Sequence, residues 1–310
     1  MPESFRSIPH EKAEANEVIR PNGIRLKLYR MIGPVQEGPV LLFGHANGMA
    51  AGSYLRLLEE LALEATVFAF DARGHGGSSA PETELDRHYN MDAFADDLEA
   101  ITESVRNEIG EAPLYYVAHS LNAIAGLRLG ALRKRPFWEG VTLFEPPVFP
   151  PDSHPLYGEA MQRTDELVRL SQNRKARWPS PDVLTSALKG RSLFSLFEEG
   201  RLLDYARANL RPTGKGDYTL ASPPEVEAAI FACHMDSVNY EILPDFPMPV
   251  RFVSGDPEIG LAGDWIAKLA PDLAARVPGS ALTVVEETSH LLLFEATIRT
   301  KACILAMLPG

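Results

Sequence analysis

Residues 114–126 read Leu-Tyr-Tyr-Val-Ala-His-Ser-Leu-Asn-Ala-Ile-Ala-Gly and predict a buried strand that turns into a helix at Ser120. The first five residues are apolar or β-favouring, and an apolar, helix-compatible run follows the turn. A serine at such a corner lies beside a helix N-terminus, where free N–H groups and a partial positive charge stabilise an anion. Ser120 is therefore the candidate nucleophile, with a simple helix N-cap as the structural alternative.

Strands and helices alternate on both sides of this corner. Pro21-Asn22-Gly23 predicts the turn of an N-terminal hairpin, and residues 90–109 predict a long amphipathic helix. A continuous apolar run, typical of a strand buried on both faces, occurs at residues 40–43, and further strands are predicted at residues 66–70, 140–144, 250–254 and 282–285. This order predicts an α/β fold with a doubly wound, mostly parallel sheet.

The pattern changes in residues 146–239, where proline clusters precede segments rich in Arg, Leu, Ala and Glu. We predict that this segment is a helical cap inserted between two parts of one core, residues 1–145 and 240–310. Insertions above the carboxyl ends of parallel strands cover the crevice in which ligands bind. The cap is therefore expected to control the choice of substrate.

The amino-acid composition and net charge indicate which kinds of molecule this protein binds. The chain has 310 residues, of which 45% are hydrophobic and 23% charged, and a formal net charge of −12. Such a charge disfavours nucleic acid or an anionic membrane as the main partner and favours a small-molecule substrate. Cys233 and Cys303 show no metal-type spacing. With neither a signal-like start nor a membrane-length apolar run, cytoplasmic residence is expected, and assembly into a homo-oligomer is left open.

Several motifs resemble those of one superfamily. Residues 118–122 resemble the nucleophile elbow G-x-S-x-G of α/β-hydrolases, with Ala118 and Asn122 in place of the glycines. Residues 45–48, His-Ala-Asn-Gly, resemble the oxyanion loop, and residues 71–79 resemble a structural D-x-R-G-x-G-x-S signature. The chain is accordingly identified as a member of the α/β-hydrolase superfamily, with a serine nucleophile and a cap.

The resemblance implies a catalytic triad. His290 lies in a segment similar to G-H-x-x-x-x-E and is the expected general base for Ser120. Asp256, directly after the strand at 250–254, is the preferred acid because a short carboxylate at a strand end is well placed to hold an imidazole. The commonest spacing instead selects Glu258. Families that take the acid from the preceding strand would select Glu145.

By the same resemblance, the backbone N–H groups of Asn47 and Leu121 form the oxyanion hole. The expected reaction is hydrolysis of a small-molecule ester, lactone or amide through an acyl-enzyme, which requires no metal or organic cofactor. Two alternatives remain: a carbon–carbon bond hydrolase of β-diketone-like compounds, and a non-catalytic small-molecule receptor with the same fold.

Overall fold

The computed structural model describes residues 5–35, 37–259 and 264–309. Met1 and Gly310, the outer limits of the two predicted core parts, lie outside these residues. Strands of the main sheet come from both ends of the sequence: β1 Ala13–Ile19, β2 Arg25–Met31, β3 Val40–Gly44, β4 Thr66–Asp71, β5 Leu114–His119, β6 Gly140–Phe144, β10 Arg251–Ser254 and β11 Ala281–Val284.

These strands form a mixed sheet in the order β1-β2-β4-β3-β5-β6-β10-β11. β1 pairs antiparallel with β2, as the Pro21-Asn22-Gly23 turn predicts, and β2 pairs antiparallel with β4. From β4 to β11 all pairs are parallel. Every residue of β3, β4 and β5 is buried. The predicted doubly wound, mostly parallel sheet is therefore confirmed.

Helices cover both faces of the sheet, and the sheet separates two apolar clusters. They are α1 Leu55–Leu61, α2 Leu85–His88, α3 Met91–Ile109, α4 Leu121–Arg133, α10 Asp264–Arg276, α11 Leu292–Glu295 and α12 Thr297–Leu305, with a 3₁₀ turn at Ala51–Tyr54. The predicted long helix begins where Asn90 accepts a hydrogen bond from the N–H of Ala93 at 2.9 Å, which is a typical N-cap. Its apolar stripe packs on α4 below the elbow.

The segment between β6 and β10, which is the predicted cap, is mostly helical. Its helices are α5 Tyr157–Gln172, α6 Pro181–Leu188, α7 Arg201–Asn209, α8 Pro224–Cys233 and α9 Val238–Glu241, with 3₁₀ turns at Ser192–Phe194 and Leu243–Asp245. It also contains short antiparallel strands in the order β7-β9-β8, at Arg177–Trp178, Tyr218–Leu220 and Leu210–Pro212. The sequence shows no convincing strand in this segment, because strands of two or three residues leave no periodic pattern.

Within residues 5–35, 37–259 and 264–309, no helix is both long and apolar enough to cross a membrane.

Candidate active site

Ser120 occupies a strained corner between β5 and α4. Its backbone angles, φ 53° and ψ −111°, are rare for a residue with a side chain and are typical of a position held by its surroundings. The Ser120 N–H donates to the carbonyl of Phe144 at 2.9 Å, which anchors the corner to β6. The side chain caps none of the helix N–H groups. Ser120 is therefore not a simple N-cap, and its hydroxyl is free for another contact.

Asn122 is larger than the glycine of the usual elbow, and the neighbouring strand accommodates it. A Cβ atom on Gly44 would lie only 2.6 Å from the Cβ of Asn122, so glycine is required there. The Asn122 side-chain amide donates to the carbonyl of His45 at 2.6 Å, and the backbone carbonyl of Asn122 accepts from the Tyr116 hydroxyl at 2.8 Å. Asn122 thus ties the elbow to the start of the oxyanion loop.

His290 reaches the elbow from the loop after β11. Its Nε2 lies 3.1 Å from Ser120 Oγ, within hydrogen-bond distance. The residue before it is fixed by Glu295, whose carboxylate accepts from the Ser289 N–H at 2.6 Å and the Ser289 hydroxyl at 2.5 Å. Burial raises the pKa of Glu295, and the bonds from Ser289 oppose that shift. The two residues that the sequence assigns as nucleophile and base are therefore in direct contact.

The carboxylate that contacts His290 belongs to Glu145, at the end of β6. Its Oε2 lies 3.1 Å from His290 Nδ1, and its Oε1 accepts from the Gly255 N–H at 2.6 Å. Glu145 is only 1% exposed and has a positive φ of 48°, so the backbone turns sharply to aim the side chain. A Cβ on Gly255 would lie 2.6 Å from the Ser289 carbonyl, and glycine therefore lets the three loops converge.

Asp256, the preferred acid, is placed differently from the prediction. Its carboxylate accepts from the Glu258 N–H at 2.9 Å and the Glu287 N–H at 3.2 Å, and so joins two loops without contacting His290. Glu258 is exposed. β6 and β10 are neighbours in the sheet, so acids at both strand ends lie at the same edge. Glu145, which has the longer side chain and directly follows β6, the strand next to the elbow, is the acid within reach of His290.

The residues expected to form an oxyanion hole both lie near Ser120. Leu121 is the first residue of α4, where helix N–H groups have no intrahelical acceptor. In the described part of the chain, neither its N–H nor that of Asn47 donates to a protein acceptor. The Asn47 side chain instead donates to the carbonyl of Glu227 at 3.0 Å and accepts from the Gly48 N–H. Its backbone, not its amide, is therefore available to a substrate.

A buried hydrogen-bond chain, not identified from the sequence, links the base to the oxyanion loop. The Ala46 N–H donates to the Tyr54 hydroxyl at 3.2 Å, and that oxygen lies 2.7 Å from His119 Nδ1. His119 Nε2 lies 2.8 Å from the His290 carbonyl. A carbonyl can only accept, so His119 carries its proton on Nε2 and accepts from Tyr54. Burial lowers the pKa of His119 well below its usual value, which keeps it neutral.

A cavity of about 490 Å³ opens above Ser120 and is lined by the core and the cap. Most of its wall is apolar, but Arg174, Tyr205 and Glu227 form a polar group within it. Arg174 pairs with Glu227 at 2.5 Å and also contacts the Tyr205 hydroxyl. Burial lowers the pKa of Arg174, but Glu227 and Tyr205 outweigh this and raise it overall. These long-range contacts have no signal in the sequence.

Cys233, His234 and Asp236 are close in the sequence, but their side chains diverge in the structure. His234 lines the cavity, whereas Asp236 pairs with Arg128 at 3.3 Å. Among the residues described, no three histidine, cysteine or carboxylate side chains converge as metal ligands.

Comparison with known proteins identifies the family of this chain. The profile of the Alpha/beta hydrolase family matches residues 40–299, so the chain belongs to the α/β-hydrolase family. It is 26% identical over 151 residues to a probable esterase from Oryza sativa subsp. japonica. That match covers 49% of this chain and 54% of the rice protein, so the chain spans about half the length of that relative.

Solved structures of low sequence identity share the whole fold. E-2-(acetamidomethylene)succinate hydrolase is 20% identical, with a TM-score of 0.76 over 95% of this chain and 98% of that one. N-formylmaleamic acid deformylase from Pseudomonas putida S16 is 19% identical, with a TM-score of 0.66 over 94% and 100% of the two chains. An α/β hydrolase from Novosphingobium aromaticivorans DSM 12444 is 18% identical, with a TM-score of 0.71 over 96% and 98%.

Proposed function

We propose that this protein hydrolyses a small-molecule carboxylic ester, lactone or amide through an acyl-enzyme. The observation that carries the proposal is the continuous contact from Ser120 Oγ to His290 Nε2 and from His290 Nδ1 to Glu145 Oε2, each 3.1 Å long. Serine is a weak nucleophile, and it needs a base held by a buried carboxylate to react at neutral pH. Here the acid is Glu145, so the triad is Ser-His-Glu.

In the first half of the proposed reaction, Ser120 Oγ attacks the substrate carbonyl carbon while His290 Nε2 takes the hydroxyl proton. Glu145 accepts the Nδ1–H of His290 and stabilises the imidazolium that forms. The N–H groups of Asn47 and Leu121 bind the oxyanion. The proton on Nε2 then passes to the leaving alcohol or amine, which departs and leaves the acyl group on Ser120.

In the second half, water attacks the acyl carbon and His290 Nε2 removes one of its protons. Collapse of the second tetrahedral intermediate breaks the bond to Ser120 Oγ, which regains its proton from His290. The products are a carboxylic acid and the alcohol or amine released earlier. Mostly apolar walls limit competing water and strengthen the contacts to the oxyanion.

The apolar cavity and the names of similar proteins together indicate which substrates to test. The names of two similar structures refer to a succinate derivative and to a maleamic acid, which are small carboxylic acids. The rice relative is named a probable esterase. A panel of 4-nitrophenyl esters, lactones and anilides, with and without a free carboxylate, therefore covers the chemistry that this cavity and these names support.

The test combines covalent labelling with turnover. A fluorophosphonate probe should label the wild-type protein at Ser120, and Ser120→Ala should lose both the label and at least about 10³-fold in kcat. Ser222→Ala, at a buried cap serine outside the cavity, is the matched control and should keep both. An unlabelled wild-type protein without turnover on the panel would refute the hydrolase and favour a non-catalytic receptor.

A further inference from the structure

The side chain of Asn47 connects the oxyanion loop to helix α8 of the predicted cap. Its Nδ2–H donates to the backbone carbonyl of Glu227 at 3.0 Å, although the two residues are 180 positions apart in the sequence. Its Oδ1 accepts from the Gly48 N–H at 3.0 Å. Asn47 is only 7% exposed, so water competes little for these bonds. The amide is therefore fixed between its own loop and the cap.

Two further groups of the same segment lie against Gly48. A Cβ atom on Gly48 would lie only 2.8 Å from Glu227 Oε1, so this carboxylate packs directly on the loop backbone. The Tyr205 hydroxyl donates to the Gly48 carbonyl at 3.4 Å. Arg174 holds both groups, since it pairs with Glu227 and contacts the Tyr205 hydroxyl. Contacts from α7 and α8 therefore converge on residues 47 and 48.

The core holds other parts of this loop. Backbone groups of His45, Ala46 and Gly48 each hydrogen-bond a side chain of the core. Among the described residues, however, the NH₂ group of Asn47 donates only to Glu227. The backbone N–H of Asn47 is one of the two donors proposed for the oxyanion. Such a donor works only when it is held close to the position that the oxyanion will occupy.

We propose that Glu227 and Tyr205 are positioning residues that hold the Asn47 N–H at the oxyanion, so that the docked cap completes the oxyanion hole. This inference rests on the proposed hydrolase function and goes beyond it, because it gives the cap a role in catalysis that is common to all substrates. The anchor is rigid, since Glu227 contributes a backbone carbonyl of α8.

Asn47→Leu and Asn47→Ala test the proposal directly. Both keep the backbone N–H of residue 47 and remove the donor to α8, and leucine also keeps most of the volume. The Gly48 N–H retains His75 Nε2 as an acceptor at 3.0 Å. A misplacement of about 1 Å costs about 10²-fold in rate, so kcat should fall by about 10- to 100-fold in both variants. The factor should be the same for 4-nitrophenyl acetate, butanoate and hexanoate, with little change in KM.

A thiono ester distinguishes a damaged oxyanion hole from a general loss of structure. The thiono analogue of 4-nitrophenyl butanoate develops its negative charge on sulfur, which accepts hydrogen bonds weakly. The wild type should therefore prefer the oxygen ester, and both Asn47 variants should reduce this preference by about tenfold. Tyr205→Phe keeps the ring and removes the contact with Gly48, so it should reduce the preference by a smaller factor. Partial unfolding would lower both rates equally and leave the preference unchanged.

Two cap variants are controls. Asn173→Ala removes an exposed amide that donates to the Arg169 carbonyl at 2.7 Å, and it should keep the wild-type kcat and oxygen preference. Phe194→Ala changes the cavity wall, so it should alter the ranking of acyl chains but not the oxygen preference.

The outcomes separate this inference from the proposed function. Turnover that persists in Ser120→Ala would refute the proposed function. Normal dependence on Ser120, with an unchanged oxygen preference in the Asn47 variants, would overturn this inference alone. If neither Asn47 variant folds, Tyr205→Phe decides, and a folded Tyr205→Phe protein with the wild-type preference would likewise overturn it.

Discussion

Replacing Glu145 with glutamine tests the assignment of the acid most sharply. The glutamine oxygen can still accept from the Gly255 N–H, so the loop contact at 2.6 Å is preserved. The amide NH₂ then faces His290 Nδ1, where the native carboxylate oxygen lies at 3.1 Å. Two donors cannot bond to each other, so the imidazole shifts its proton to Nε2 and can no longer accept the proton of Ser120.

The size of the effect follows from this burial and geometry. Glu145 is 1% exposed, so water does not replace the missing charge beside His290. Amide substitution of the acid in a serine triad lowers kcat by about 10⁴-fold. We expect a loss of about 10³- to 10⁴-fold here, which corresponds to about 4–5 kcal/mol of transition-state stabilisation. Hydrolysis of 4-nitrophenyl butanoate, with active-site titration to count folded protein, measures it.

Asp256→Asn is the matched control, because Asp256 follows the adjacent strand. Its carboxylate accepts from two backbone N–H groups in loops and does not contact His290. We expect kcat within about fivefold of the wild type, with a stability cost of about 1 kcal/mol for the weakened loop contacts. If Asp256→Asn loses far more activity than Glu145→Gln while both variants remain folded, the reasoning from this geometry is wrong.

Three further changes test the surroundings of the site. Glu227→Gln leaves the half-buried Arg174 without its carboxylate, so the unfolding free energy in urea should fall by about 1–3 kcal/mol and kcat should decrease. Glu166→Gln, in an exposed pair, should change neither quantity. Phe194→Ala enlarges the cavity, so kcat/KM should shift towards longer 4-nitrophenyl acyl chains; an unchanged ranking would contradict the cap's role. Finally, burial lowers the pKa of four histidines, so the stability of the fold that depends on their neutral form is complete above about pH 6.5 and is lost as the pH falls towards the lowered pKa values. Urea unfolding midpoints measured at pH 7, 6 and 5 should therefore fall steeply. Equal midpoints at the three pH values would contradict this reasoning. These histidines are His45, His75, His119 and His234.

The sheet could be predicted because its signals are local. β3, β4 and β5 are buried along their whole length, and such strands appear in the sequence as continuous apolar runs. The start of α3 could also be predicted, because a single asparagine, Asn90, caps it. The three short cap strands could not, since their pairing is fixed by contacts between segments far apart in the sequence.

The residues of the site likewise differ in whether a local sequence signal reveals them. Ser120 and His290 each follow a strand and carry a recognisable local motif, and the structure brings them together. The acid has no motif of its own, and two adjacent strands both end in carboxylates. Which carboxylate reaches His290 depends on the positive φ of Glu145 and on the close approach at Gly255, neither of which is visible in the sequence.

Three of the buried histidines have a structural role in the oxyanion loop. His45 Nε2 accepts from the Ala72 N–H at 2.9 Å, and His75 Nε2 accepts from the Gly48 N–H at 3.0 Å. An imidazolium has no lone pair to accept with, so both rings must be neutral, as their lowered pKa values require. His119 likewise uses both nitrogens. Protonation of any of them would break a bond that holds the loop.

His234 differs from these three although it shares their burial and lowered pKa. Each of the others has a hydrogen-bond partner within the protein for both ring nitrogens, and each contacts backbone near the nucleophile or the oxyanion loop. His234 lies across the cavity on the cap, with Nε2 unpartnered in the described structure. A neutral ring that holds no loop in place has a burial cost that no contact in the described structure offsets. His234→Phe, which removes the unpaired group, should therefore have a thermal unfolding midpoint equal to or above that of the wild type, and a lower midpoint would contradict this reasoning.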